Sequence, residues 1–440
     1  MSETIDKNIL MQRKAKSLIP GISQLLSKRP DQFSLGVWPT YFSKAKGSFV
    51  WDLNDKRYID MSIGGIGANV LGYADDDVDK AVKNAITSGT SSSLNCYEDV
   101  MLAELLTDIH PWAEMCKFSR SGGEAMAIAV RIARAHTNKE VVAFCGYHGW
   151  HDWYLAANIQ SEDNLESHLL PGLSPRGIPS GLAGTSIPFR YNKIEELEKI
   201  VEENPGGISA IVLEPIRNSM PEDSFLEKVC SLARDAEALL IFDEISSGFR
   251  LNSAGAHMKF GIYPDIAVFS KALGNGYPIS AIIGTSEAMN ASQSTFISST
   301  NWTERIGPVA ALTTIKKHLD KDVSSHLISI GRRIQNGWEE LSKKNDLDIV
   351  ISGIEPLSSF SFQNHESQAY KSIFIEIMLQ QSFLASTSFY AMFSHTEEQV
   401  EEYLSAVDKA FRLIKEYEDQ GGVLSKLSGK PAAKGFTRLT

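Results

Sequence analysis

The pattern of apolar and polar positions changes character along the 440 residues, and the change outlines the fold. From about residue 75 to about 290, short apolar runs alternate with longer stretches of helical period. The runs are 141–144, 208–213, 238–242, 266–269 and 282–284, rich in Val, Ile and Ala. Ser209 is the one polar residue within them, close to the wholly apolar character that strands covered on both faces favour. Between them, 124–135 and 194–203 repeat apolar residues at helical spacing. This alternation predicts an α/β fold, a mostly parallel sheet covered by helices. Ahead of it, 47–61 reads as a β-hairpin, two alternating runs about Asn54-Asp55. Beyond about 315, amphipathic helices (324–343, 397–417) mix with strand-like stretches (349–354, 358–362), predicting a smaller α+β domain. The expected division is an N-terminal segment, 1–74, packing with the small domain; a large domain, 75–315; the small domain, 316–420; and a loose Gly/Pro/Ser/Lys-rich tail, 421–440.

Composition narrows the partners. Hydrophobic residues make up 43% and charged residues 22%, a globular balance that excludes disordered and collagen-like classes. A net charge of -11 argues against nucleic acid, which needs a basic face, but is neutral about a small substrate. Cys96, Cys116, Cys145 and Cys230 are scattered, with no CxxC pair, so neither a metal site nor a disulfide framework is expected. No apolar run reaches bilayer length, and the polar N-terminus lacks a signal-peptide pattern. With reduced cysteines, these features predict a cytoplasmic protein.

In open α/β sheets, ligands bind beyond the carboxyl ends of the strands, so the residues that follow each run matter most. Run 238–242 is followed by Asp243 and Glu244, run 266–269 by Ser270 and Lys271, and run 208–213 by Glu214. Lys117-Phe118-Ser119 leads into Ser121-Gly122-Gly123, which opens a helix. Each piece alone has an ordinary explanation. A strand-end lysine is most often a solvated surface residue, an Asp-Glu pair often a helix cap, and Ser-Gly-Gly often a conformational turn. Other site types do not fit. Gly64-Gly65-Ile66-Gly67 does not form a dinucleotide fingerprint after a first strand, and neither a P-loop nor a GxSxG elbow occurs.

Together the pieces are specific. The stretches SRSGGEAMAIAVRIARAHTNK, GYHGW, ISAIVLEPI, ALLIFDEISSGFR, PDIAVFSKALGNGYPISAIIG and TERIGPVAAL resemble the class III aminotransferases among the fold-type I pyridoxal-phosphate enzymes. Within that family they resemble the glutamate-1-semialdehyde aminomutase-like branch, over about residues 17–413. The resemblance implies a pyridoxal 5'-phosphate cofactor bound through Lys271 as an imine, with Asp243 keeping the pyridine nitrogen protonated. It implies that Ser121, Gly122 and Gly123 cradle the phosphate, although Gly123 stands where threonine is usual. Tyr147 and Ile245 would cover the two ring faces, and Glu214 would lie near the ring hydroxyl or the stacking layer. Thr303, with Thr300 as neighbouring alternative, would reach the phosphate in a partner subunit, which implies a homodimer with shared sites. Glu244 reads as a packing or orienting residue, and His148 and His151 as neighbours of the site. Trp38, Trp150 and Trp302 suit either a pocket wall or a core. His395 has a family match without a derivable role.

Departures gather on the substrate side. The turn that carries the branch's substrate-carboxylate arginine is two residues longer here, which leaves the match of Arg29 to it open; Tyr390 stands at the gating-glutamate position, and the mobile loop reads ANIQSEDNLESHLLPGLSPRGIPSGLAG. The expected activity is therefore transfer of an amino group between a small-molecule donor and a small keto, aldehyde or keto-sugar acceptor. An aminomutase or racemase is the alternative, and a non-catalytic cofactor-binding module a remote one.

Overall fold

The computed structural model describes residues 6–168, 171–216 and 218–435. They divide into two compact units, residues 76–325 and residues 1–75 with 326–440.

The first unit is built on a seven-stranded sheet: β1 Met115–Ser119, β2 Val141–Cys145, β3 Ser186–Pro188, β4 Ile208–Leu213, β5 Leu239–Asp243, β6 Ile266–Phe269 and β7 Ser280–Gly284. The strand order is β1-β7-β6-β5-β4-β2-β3, and only β7 runs antiparallel to its neighbours. The chain alternates faces along each strand. Val142, Phe144, Val212, Ile241 and Val268 pack beneath helix α1, Gly122–Thr137, against its Met126, Ala129 and Ala133. Ala143, Ile211, Leu240 and Phe242 point the other way, against Leu197, Phe225 and Val229. This two-sided burial explains the apolar runs, in which the buried Ser209 is satisfied by donating to Val141 O at 2.7 Å. β1 escaped the pattern because it is only half covered, with Met115 exposed and Lys117 mid-strand. β3 escaped because it is three residues long and ends in Pro188.

The second unit has a four-stranded sheet. Phe49–Asp52 pairs antiparallel with Arg57–Met61 as the expected hairpin, and Asp52 Oδ1 closes the turn by accepting from the N–H groups of Asn54 and Lys56 at 2.8 and 3.0 Å. Phe42–Lys46 and Phe383–Ala385 extend it on either side. A three-stranded sheet pairs Ile349–Ser352 with Leu357–Phe362, and the latter with Ser388–Tyr390. Helices Val323–Lys344, Ser367–Gln380 and Glu397–Asp419 complete the unit. His395 is wholly buried: its Nδ1 accepts from the N–H of Met392 at 3.0 Å, and its Nε2 donates to Asp60 O at 2.8 Å. That is a structural role. The C-terminal segment is tied at buried Glu376, whose carboxylate accepts from Ser34 Oγ and from the N–H groups of Ser428 and Gly429 at 2.7–2.9 Å. Ala432 and Ala433 add bonds to Ser372 Oγ and Asp31 O.

Candidate active site

Four parallel neighbours, β2, β4, β5 and β6, end on the same edge of the first unit, and β1 ends there too because two antiparallel steps through β7 restore its direction. Gly146 and Tyr147 follow β2, Glu214 follows β4, Asp243 closes β5, Lys271 follows β6, and Ser121 follows β1. The register brings Cys145 beside Leu213, Leu213 beside Phe242, and Asp243 beside Val268. The sheet thus places an amine, two carboxylates and a helix start along one rim.

Asp243 is buried and held on both oxygens. Oδ1 accepts from the Ile245 N–H at 3.0 Å, and Oδ2 lies 2.7 Å from His148 Nδ1. His148 Nε2 is 2.9 Å from Cys145 O, an acceptor only, so that nitrogen carries hydrogen and a further proton lies between Nδ1 and Oδ2. The imidazole stacks on Trp153 with centroids 6.3 Å apart. His148 therefore fixes the carboxylate's position.

Lys271 is half-buried, and its Nζ donates to Ser246 Oγ at 2.7 Å. Its backbone φ is +46°, a left-handed conformation that an L-residue adopts at a cost of about 1–2 kcal/mol. The turn from Lys271 to Gly274 swings the chain off β6 and aims the side chain back at residues 245–246. Ser246 is the functional neighbour the sequence reading missed. Its hydroxyl stands three residues after Asp243 in FDEISSGFR, a signal obscured by the adjacent Ser247. Ser247 serves elsewhere: it donates to Glu244, whose other oxygen accepts from the N–H and Nδ1 of His257 at 2.9 and 2.8 Å. The Trp112 indole donates to His257 Nε2 at 2.9 Å, so His257 carries its hydrogen on Nδ1, facing Glu244. Desolvation pushes the Glu244 carboxyl up, but the His257 and Ser247 bonds outweigh it and hold it below the usual range. Glu244 is an orienting residue behind the rim.

Ser121 caps α1 with extended backbone and leaves its hydroxyl out of the cap. The first N–H groups of α1 have no intrahelical partner by helix geometry, and the helix dipole adds positive character there. Gly122 lies so close to Ile245 that an added Cβ would stand 2.8 Å from Ile245 Cδ1. Gly123 faces Gly149 and the ring of His151. Just behind the turn, Ser119 Oγ is buried without a partner among the described residues. Glu124 accepts from the Arg120 N–H at 2.9 Å and the Trp302 indole at 3.1 Å. Arg120 Nη2 donates to Trp302 O at 3.0 Å and to Glu304 O. This clamp fastens the turn Thr300–Thr303, where Thr303 is exposed and its hydroxyl donates to Thr300 O at 3.0 Å. Thr303 is thus on the surface.

Tyr147 and Ile245 are half-buried against the core beneath α1, and Tyr147 meets Tyr154 edge-on at 5.8 Å. Glu214 is buried and borders a cavity of about 300 Å³ shared with Gly146, His168, Arg190 and Tyr191. In the second unit, Arg29 is buried and grips Asp31 through Nε at 3.1 Å and Nη2 at 2.5 Å. Trp38 stacks on Phe33 at 4.1 Å, while Trp150 is 69% exposed and therefore not a core residue. Among the described residues, no group of three or more His, Cys, Asp or Glu side chains is placed to hold a metal ion, and no helix is long and apolar enough to cross a membrane.

These residues fit pyridoxal phosphate. The helix start suits a phosphate dianion, the glycines let Ile245 and the loop 149–151 close up to that helix start, and the held carboxylate and half-buried amine suit a pyridine nitrogen and an aldehyde. Fold and rim together define a pyridoxal-phosphate-dependent transferase of fold type I. The family model for aminotransferase class-III matches residues 34–411, and the chain belongs to that family. It is similar to a 3-aminobutyryl-CoA aminotransferase of Cloacimonas acidaminovorans, 30% identical over 93% of this chain and 97% of that one. It is equally similar to a glutamate-1-semialdehyde 2,1-aminomutase of Desulforamulus reducens, 30% identical over 94% and 99%. Among solved structures, the FumI protein of Sphingopyxis sp. MTA144 superposes with a TM-score of 0.86 at 23% identity, covering 97% and 98% of the two chains. An omega-transaminase from Sphaerobacter thermophilus does so with 0.82 at 22%, covering 93% and 98%. The enzyme is a pyridoxal-phosphate-dependent class III aminotransferase by family.

Proposed function

We infer that the enzyme transfers an amino group between a donor and a small keto or aldehyde acceptor in two half-reactions at the rim of β2, β4, β5 and β6. The observation that carries this is the convergence of Lys271 Nζ on Ser246 with Asp243 locked on His148, one strand apart. Bound pyridoxal phosphate supplies the carbonyl that accepts the amino group and a ring that withdraws electrons from the substrate carbon. Lys271 Nζ anchors the cofactor and moves the proton at the substrate carbon, and Ser246 Oγ orients that amine. Asp243 holds a proton at the pyridine nitrogen. Ser121 and the N–H groups of Gly122 and Gly123 bind the phosphate, and Tyr147 and Ile245 exclude water from the two ring faces. Glu214 lies on the ring-hydroxyl side.

The 3-aminobutyryl-CoA aminotransferase relative supports a donor with its amine away from the α-carbon. The equal similarity to aminomutases favours a second reading, return of the amino group to the same skeleton. Exposed Leu94, Tyr97, Val100 and Phe296, each at least 66% accessible, support a homodimer in which Thr303 completes the partner's phosphate site. Free cysteines support a reducing cytoplasmic setting.

The test is the visible spectrum of the holoenzyme during titration with β-alanine, 3-aminobutyrate, alanine and glutamate. Bleaching by a donor, with keto product released and colour restored by a keto acid, is expected. Bleaching without a released keto product would move the assignment to the aminomutase.

A further inference from the structure

The phosphate cradle has a gap and a neighbour that fits it. Gly123 is the second residue of α1, at the end whose N–H groups have no intrahelical partner. A Cβ built on Gly123 would stand 3.3 Å from His151 Cδ2 and 3.7 Å from His151 Nε2, with Gly149 Cα at 3.6 Å. The Cδ2–Nε2 edge of the imidazole therefore occupies the space a side chain at 123 would enter. Two glycines make this approach possible. Gly149, at φ +105°, lets the loop turn, and its own Cβ would lie only 2.8 Å from Gly123 Cα. The ring is held by its stack on Trp150, with centroids 4.5 Å apart at 25°. The nearest acid on α1, Glu124, is engaged by the Arg120 N–H and the Trp302 indole. His151 is half-buried, while Asp152 follows it as the first residue of the next helix.

We propose that His151 donates a hydrogen bond from Nε2 to the cofactor phosphate, doing at Gly123 what a threonine hydroxyl does in the usual form of this turn. The inference rests on the reading of Ser121-Gly122-Gly123 as the phosphate cradle. Loop and helix start then form one unit: the Gly123–Gly149 contact sets the distance, and the imidazole replaces the missing hydroxyl.

The experiment is equilibrium titration of apoenzyme with pyridoxal phosphate, read by cofactor absorbance and tryptophan fluorescence, with the phosphorus NMR shift of the bound cofactor as a second readout. His151→Ala is expected to weaken binding at least about tenfold and to move the phosphorus resonance. His151→Gln, which keeps a donor, is expected to recover part of the loss. Gly123→Thr alone weakens binding because its side chain meets the ring, whereas Gly123→Thr with His151→Ala returns to within about threefold of wild type. Circular dichroism of each apo variant confirms folding. Unchanged affinity and phosphorus shift in His151→Ala would overturn the proposal while leaving the cradle intact. A cradle elsewhere would show itself separately: Ser121→Ala and Gly122→Val would both bind as wild type.

Discussion

Replacing Gly149 by alanine tests the close approach between the loop after β2 and the start of α1. Two costs are separable. At φ +105° an L-residue is strained, by about 1–3 kcal/mol. In addition the new Cβ would stand 2.8 Å from Gly123 Cα, so one backbone must move by about 0.6 Å to reach the 3.4 Å of ordinary contact (3.4 − 2.8). Overpacking of this kind costs about 1–3 kcal/mol more, and here neither neighbour is a flexible side chain. Gly89 provides the control: its φ is +93°, and a Cβ there meets nothing within 4 Å. Gly89→Ala carries the strain without the contact. Guanidinium unfolding of the two apo variants is expected to place Gly149→Ala about 1–3 kcal/mol below Gly89→Ala. Because the displacement acts at the helix start, Gly149→Ala should also weaken pyridoxal phosphate binding about tenfold, and Gly89→Ala should leave it unchanged. Equal stability losses in the two variants would refute the argument that the Gly123–Gly149 contact is tight.

Other expectations follow from the same structure. Lys271→Ala should lose the lysine-dependent visible band and all detectable transfer while retaining its unfolding midpoint within about 1 kcal/mol, since the residue is half-buried and its backbone strained. His148→Ala should destabilise the fold by about 3–5 kcal/mol in denaturant titration, because it leaves the buried Asp243 carboxylate without its partner. Glu376→Ala removes acceptors from three bonds, so the segment around 428–433 should become susceptible to limited proteolysis, at a cost of about 2–4 kcal/mol. Burial lowers the rings of His110, His318 and His395 to about 4. Their folded values lie below the unfolded value of about 6.5, so the unfolded chain binds more protons between the two. Stability is therefore full above about 6.5 and should fall as pH drops toward about 4, and His318→Gln should flatten that slope in denaturant midpoints measured across pH.

Much of the enzyme was legible in the chain. A strand covered on both faces spares almost no polar position, so β2, β4, β5 and β6 appear as nearly unbroken apolar runs, the buried Ser209 of β4 being tolerated because its hydroxyl donates to Val141 O, and the residues after them are those at the sheet's ligand-binding edge. Lys271 and Asp243 could be placed by counting forward from their runs, whereas the Ser121-Gly122-Gly123 turn follows β1, which no run announced. β1 was hidden by its half-exposed face, and the reversal of β7 was invisible because direction depends on the connection and not on composition.

The chain by itself determined the class: local periodicity fixes strands and helices, and the order of reactive residues fixes which strand delivers each. Contacts between distant segments were decided only in three dimensions. Ser246 became the partner of Lys271 because two neighbouring strands end together, 25 residues apart in sequence. His148 became the holder of Asp243 across 95 residues. His151 could be seen against Gly123 only once two backbones had met at a pair of glycines. Such pairings depend on register, twist and packing distances, which a one-dimensional pattern does not carry.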